Sequence, residues 1–412
     1  MSVYSSDSIK TEIVEPIVHN NNDRSEFSIS GDVLPNLRLI NLGQVGNAAV
    51  EPNDLLGQIC HIKHITLFDG RNVLTQQRNF NDHMAFMNLK HSNAVNHQIN
   101  RNKLGHSIGY KNFYVGANGA THYTRQTFVS DAINNSLDNA DTPQGVKKAS
   151  INLQDVLNML NVVPVLSDKV FNQLRLVIEY ETDYSKRLNV NNVTNTTATR
   201  PLLVVDKVMN DSMSAALRAQ ISNVQWTEYE QDRIFVDSVA AGTQEISVKV
   251  NGYNNKTLER LRISKRYQDN AKNFDGANIR GYGPYQSVLG LREGFNVRPN
   301  GRNIMPRSHV EGQNRMLALL SDTYGPLNLK EDDNAYLHSS IPSLSTTKQG
   351  QLSFLGLYVG EKIQDLKVSF KRDFEANTDD PAPQNDALRL DLEGEVVKQM
   401  EVRNGNYLIS YA

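Results

Sequence analysis

Apolar and polar residues alternate with a period of two at intervals along the whole chain, the mark of strands with one buried and one wetted face. Leu174-Arg-Leu-Val-Ile-Glu-Tyr-Glu181 and Leu366-Lys-Val-Ser-Phe-Lys371 carry it, and Glu245-Ile-Ser-Val-Lys-Val-Asn251 and Leu258-Glu-Arg-Leu-Arg-Ile-Ser264 also read as strands. Further strands are expected at residues 27–30, 37–41, 201–206, 352–359, 388–397 and 407–412, with a second group of strands opening at Val224. Helical spacing is rarer. Leu153, Val156, Leu157 and Leu160 recur at i, i+3, i+4, i+7 behind Ser150 or Asn152 as N-cap, so a helix with one buried face is expected over 150–160. Short helical segments also fit Asn79–Leu89, Asn210–Ser222 and Asn314–Leu320.

One stretch occurs twice. Asp69-Gly-Arg-Asn-Val-Leu74 lies over Asn300-Gly-Arg-Asn-Ile-Met305, and Gly70 and Gly301 are 231 residues apart, a little over half the chain. Each copy reads as strand, Asx-Gly turn, strand, because a two-residue turn needs positive φ that Gly adopts freely and Asx tolerates. A Met/Leu/Phe-rich helical segment, a long polar loop and an alternating strand follow both copies, so the chain reads as two copies of one β-domain. The expected division is residues 1–23 as an N-terminal arm, 24–208 as the first domain, 209–223 as a linker and 224–412 as the second. The polar arm is either a plain disordered terminus or a segment that orders against a partner.

Composition narrows the class. A chain of 412 residues can bury two cores. Its net charge of −2 speaks against gripping nucleic acid by bulk charge but leaves room for a local basic patch. Mean hydropathy is −0.49, no apolar run approaches the roughly 18 residues of a membrane helix, and residues 1–23 lack the apolar core of a signal peptide. The single cysteine, Cys60, excludes an intramolecular disulfide framework and suits a reducing compartment.

Candidate chemistry is sparse. His61 and His64 beside Cys60 stand three apart in an expected strand and so point to opposite faces, a poor arrangement for one metal ion. His83, His91, His97 and His106 lack ligand spacing and suit solvent or a subunit contact. Glu179 and Glu181 share a strand face two residues apart, but beside Arg175 they read as a wetted face. Gly281-Tyr-Gly283 is a turn without a phosphate cradle, and Glu331-Asp332-Asp333 and Asp379-Asp380 lack the spaced oxygens of a calcium loop. The basic pairs Lys147-Lys148, Lys186-Arg187 and Lys265-Arg266 are isolated, with no aromatic platform for bases. No catalytic, cofactor-binding or metal-ligating residue is assigned, and no enzymatic activity is expected.

Eight or so antiparallel strands per half, joined by long loops and short helices, fit a jelly roll. Asp69-Gly-Arg-Asn72 with the helix to Leu89, Leu174–Tyr180, and Gly283-Pro-Tyr through Gly301-Arg-Asn303 together resemble the double jelly-roll major capsid proteins of the adenovirus, polinton and virophage lineage. The resemblance spans roughly residue 25 to the end. It implies an all-β chain of two tandem eight-stranded jelly-roll barrels with short helices in the connecting loops. It further implies a homotrimeric, pseudo-hexagonal capsomer in the shell of an icosahedral double-stranded DNA virus, assembled inside the host cell. Its partners would be neighbouring capsomers and, through the N-terminal arm, vertex (penton) and minor cement proteins, without sequence-specific nucleic acid. The alternative from another class is a two-barrel carbohydrate-binding or carbohydrate-active protein, for which a cleft of aromatics and facing carboxylates would be needed.

Overall fold

The computed structural model describes residues 8–45, 59, 61–90, 110–115, 121–126, 148–181, 197–237, 244–268, 295–305, 313–325, 355–372, 387–403 and 406–412. In the first half the strands are β1 (Ile9–Val14), β2 (Val18–His19), β3 (Arg24–Ile29), β4 (Asp32–Val33), β5 (Arg38–Leu42), β6 (Gln44–Val45), β7 (Ile62–Asp69) and β8 (Asn72–Gln77). Helix α1 (Phe80–Lys90) follows, then β9 (Tyr110–Val115), β10 (Thr121–Gln126), β11 (Ala149–Asn152), β12 (Leu166–Ser167), β13 (Leu174–Tyr180), β14 (Thr197–Ala198) and β15 (Leu202–Val208). Helix α2 (Asp211–Ala219) leads to the second half, made of β16 (Val224–Val236), β17 (Gln244–Val250), β18 (Thr257–Tyr267), β19 (Phe295–Pro299), helix α3 (Gln313–Tyr324), β20 (Leu355–Lys362), β21 (Leu366–Arg372), β22 (Leu388–Arg403) and β23 (Asn406–Tyr411).

Each half is a sandwich of two antiparallel sheets. In the first, β11-β5-β15-β4-β12 with β1 on β15 faces β2-β3-β13-β7-β8. In the second, β16-β22-β18-β20 with β23 on β22 faces β17-β21-β19, which is eight strands among the described residues. Sequence neighbours such as β17 and β18 belong to different sheets, so the Asn251–Asn255 turn carries the chain across the sandwich. That crossing is how a jelly roll differs from a meander.

The repeated motif is structural. Gly70 (φ 58°) turns β7 into β8, and Asn300 (φ 50°) with Gly301 (φ 76°) turns the chain after β19. In both places the Asx side chain caps the loop that enters an alternating strand of the half, β13 or β21. Asp69 Oδ1 accepts from the Gln173 amide at 2.8 Å, ahead of β13, and Asn300 Oδ1 accepts from the Gln364 and Asp365 amides at 2.7 and 3.2 Å, ahead of β21. The second copy departs from expectation after the turn. Residues 302–305 form no strand, and Arg302 instead bonds Glu361 at 2.9 Å.

Two further expectations are corrected. The stretch 150–160 is strand β11 followed by two short 3-10 turns, Leu153–Asp155 and Asn158–Asn161, with extended backbone at Leu157 between them. Leu153, Val156, Leu157 and Leu160 are all buried, because two successive tight turns present nearly the spacing of one helix. Part of the expected arm over 1–23 is sheet: β1 pairs with β15 from Ile9↔Val208 to Val14↔Leu203, and β2 pairs with β3. An edge strand needs only one apolar side and so reads as polar. The short helix expected at Asn210–Ser222 as the linker is α2, capped by Asn210, whose Oδ1 accepts from Met213 N at 3.0 Å, and pinned to the first half because Asp32 takes hydrogen bonds from Ser214 and Arg218.

There are two hydrophobic cores, and they do not divide cleanly at residue 224. Trp226 and Met400 lie in the first core, with Tyr407 and Ile409 packed against it. The long strands β16 and β22 thus run from one core to the other, and their outer face is where the halves meet.

Candidate functional site

The densest constellation of polar side chains among the described residues is the seam between the halves. On β22, Leu390 and Leu392 face the second core, so Asp391, Glu393 and Glu395 point the other way. Their cross-strand neighbours are basic or polar: Gln231 and Arg262 flank Glu393, Tyr229 and Arg260 flank Glu395, and Arg233 and Ser264 flank Asp391. The central strand supplies the acids and the outer strands the cations, which is the favourable cross-strand arrangement.

Most of this ladder is out of water. Arg262 is 5% exposed, Glu393 6% and Glu395 2%. Arg262 donates to Glu393 Oε1 at 2.8 Å, Gln231 Nε2 donates to Glu393 Oε2 at 2.9 Å, and Arg260 donates to Glu395 Oε2 at 2.9 Å. The covering groups come from helices. His83 on α1 sets Nδ1 3.2 Å from Glu393 Oε1 and its ring 4.3 Å from Tyr229. Phe86 lies 4.1 Å under the Arg262 guanidinium, and Tyr324 of α3 meets Phe86 edge-on at 5.3 Å. Asn79, held at φ 43° just before α1, donates its side-chain amide to Gln231.

A second group lies beyond, where β8 of the first half meets β16. The Gln76 amide donates to Glu228 Oε1 at 2.8 Å, and Lys398 pairs with Glu228 at 2.8 Å and with Glu230 at 3.6 Å. Lys256 and the Tyr411 hydroxyl also bond Glu230. At the far end Tyr407 donates to Asp69, tying the last strand to the first copy of the repeated turn.

Environment separates the carboxyls. Burial by itself would raise Glu393, but Arg262 and then His83 outweigh it and hold the group at about 2. Burial dominates at Glu395 and Glu228 and pushes both up, against Arg260 and Lys398 respectively. At Glu230 burial is outweighed by Lys256 and Tyr411, and the carboxyl is lowered. Paired, buried charges contribute little net stability over apolar packing, yet breaking a pair is costly. Such a ladder therefore fixes how two bodies fit more than how tightly they bind.

The residues weighed in the sequence are scattered. His61 is buried with its ring 5.4 Å from Tyr180, whereas His64 accepts the Asn79 amide at 2.9 Å, so the two serve different contacts. His83, expected at solvent or at a contact with another subunit, is 1% exposed inside this chain's own seam. Glu179 is exposed while Glu181 lies past the end of β13 and is buried, so they do not share a face. Cys60, His91, His97, His106, Lys147, Lys186, Arg187, Gly281, Gly283 and the acidic clusters at 331–333 and 379–380 fall outside the described residues. No group of three or more His, Cys, Asp or Glu that could hold a metal occurs among the described residues, and no described helix is long and apolar enough to cross a membrane. Sequence reasoning read β18 and β22 as strands and did not assign what covers their charged positions. The signal it passed over was their complementarity, Arg260 and Arg262 on one strand against Asp391, Glu393 and Glu395 on another.

No protein-family model and no curated protein sequence matches the chain. Solved structures match over nearly its whole length. A chain of the Sputnik virophage cryo-EM structure has a TM-score of 0.57 at 9% identity, covering 100% of this chain and 90% of that one. The Faustovirus major capsid protein has a TM-score of 0.53 at 9% identity, covering 98% and 92%. VP54 of PBCV-1, fitted into a reconstruction of Sputnik, has a TM-score of 0.52 at 11% identity, covering 100% and 99%. At such identities the likeness establishes the fold, and the fold is the double jelly roll these structures share.

Proposed function

We propose that the chain is a major capsid protein, forming pseudo-hexagonal homotrimeric capsomers in the shell of an icosahedral double-stranded DNA virus, and that its role is structural and not enzymatic. The observation that carries this reading is the match of both halves at once, end to end, to capsid structures. The seam supports it. A hexagonal tile built from three chains needs each chain to hold two similar barrels at one fixed angle, and buried ion pairs, which are intolerant of misfit, are suited to that task. The division at residues 24–208 and 224–412 is proposed as the two barrels, the first extended by β1 and β2, with neighbouring capsomers as the main partners. Vertex and minor cement proteins would meet the chain through its N-terminal arm. Light scattering on the purified chain tests the reading: three chains per particle are expected, and a clean monomer at micromolar concentration would overturn it.

A further inference from the structure

Three cations stand side by side on the outward face of the β17-β21-β19 sheet. Arg298 pairs in register with Lys367, and Lys367 with Lys249, so all three leave the same face in a row across the strands. Val297, Val368 and Val250, adjacent to them in sequence, are fully buried in the second core, and alternation therefore turns the cations outward. The side chains of Lys249 and Lys367 are 57% and 53% exposed, and Arg298 is exposed. Asp365 is the acid within reach, 3.2 Å from Lys249 and 3.8 Å from Lys367. Arg298 has no ion pair among the described residues, so the row keeps a net positive charge. Like charges directly opposite one another destabilise a sheet, and the arrangement calls for an anion that offsets the repulsion.

The row spans two strand spacings, about 10 Å, and no exposed large apolar side chain lies on β17, β19 or β21 among the described residues. A bilayer surface is met with an apolar anchor as well as charge, and this face offers charge alone. We infer that it binds the phosphodiester backbone of double-stranded nucleic acid, by charge and without reading bases. The chain's net charge of −2 makes the contact weak and local, set by the two or three phosphates one row can meet. This site stands independently of the capsid reading, since it needs neither a trimer nor a shell.

The test is anisotropy of a labelled mixed-sequence duplex titrated with the full chain between about 20 and about 200 mM salt. Each neutralised phosphate contributes about −0.9 to the slope of log affinity against log salt, so a slope of about −2 to −3 is expected. The triple variant Lys249→Gln, Arg298→Gln, Lys367→Gln should lose about tenfold or more in affinity at the lowest salt and flatten the slope, while its unfolding midpoint holds or rises. Asp365→Asn should bind about two- to threefold more tightly, a gain that a merely structural row would not give. Absence of duplex binding by the natural chain, equal binding by the triple variant, or no gain in Asp365→Asn would each overturn the assignment. So would capture by phosphatidylcholine–phosphatidylglycerol vesicles without binding to the duplex.

Discussion

Replacing Arg262 by methionine keeps much of the side-chain volume while stranding the Glu393 carboxylate in a place 6% exposed to water. The cost follows from the geometry. A carboxyl held at about 2 instead of its ordinary 4.5 is favoured in its ionised form by about 3 kcal/mol, at 1.36 kcal/mol for each tenfold change. His83 and Gln231 share that stabilisation and would keep part of it, whereas the stacking of Arg262 on Phe86 at 4.1 Å would also go, at about 0.5–2 kcal/mol. The net expectation is a loss of about 3 kcal/mol, at the lower edge of the 3–5 kcal/mol typical of a broken buried pair. Urea unfolding followed by tryptophan fluorescence suits the assay, because Trp226, the chain's one tryptophan, sits beside the seam in the first core. Glu393→Gln can still accept from the Gln231 amide but removes the charge, so combining it with Arg262→Met should cost less than the sum of the two single changes by at least about 1 kcal/mol. A loss below about 1 kcal/mol for Arg262→Met, or strict additivity in the cycle, would refute the claim that the pair locks the halves.

Other consequences are independent of that cycle. Glu393 has a depressed folded value, so the stability it contributes is fully present above pH 4.5 and lost as pH falls toward about 2; the urea midpoint should drop across that window, and less so in Glu393→Gln. Glu228 and Glu395 are raised by burial, so the stability they contribute is present at low pH and is lost as pH rises through their folded values, in opposition to Glu393. Gly394→Ala would set a Cβ 2.5 Å from Tyr253 and 2.7 Å from Leu258, an overpacking expected to cost about 1–3 kcal/mol in the same unfolding assay. Asn300→Ala removes the cap from the Gln364 and Asp365 amides and puts an alanine at φ 50°; a loss of about 2 kcal/mol is expected, with Asn300→Gly closer to the natural chain. Deleting residues 1–16 strips β1 from β15 and should lower the melting temperature by several degrees, where removal of a free arm would leave it unchanged.

Strand chemistry was legible wherever it was local. The Asp69-Gly70 and Asn300-Gly301 turns, the strand runs of β13, β17, β18 and β21, and the helical segment of α2 each depend on a handful of adjacent residues, and the duplicated barrel followed from their order. What stayed hidden depends on residues far apart. Arg262 and Glu393 are 131 positions apart and His83 and Glu393 are 310 apart, so the seam exists only once α1 of the first half is laid over β22 of the second. The burial of the charges on β18 and β22 stayed hidden because a strand pattern in sequence records two faces but not what covers them. The spacing at Leu153–Leu160 misled for a related reason, since it records burial on one side whether the backbone is a helix or two tight turns.

Electron microscopy of the purified chain tests the central claim most directly. A particle of three chains with six similar lobes and a hexagonal outline is expected, each chain supplying two lobes at a constant angle. Separate two-lobed particles, or lobes whose angle varies from particle to particle, would contradict both the capsomer and the rigid seam on which it rests.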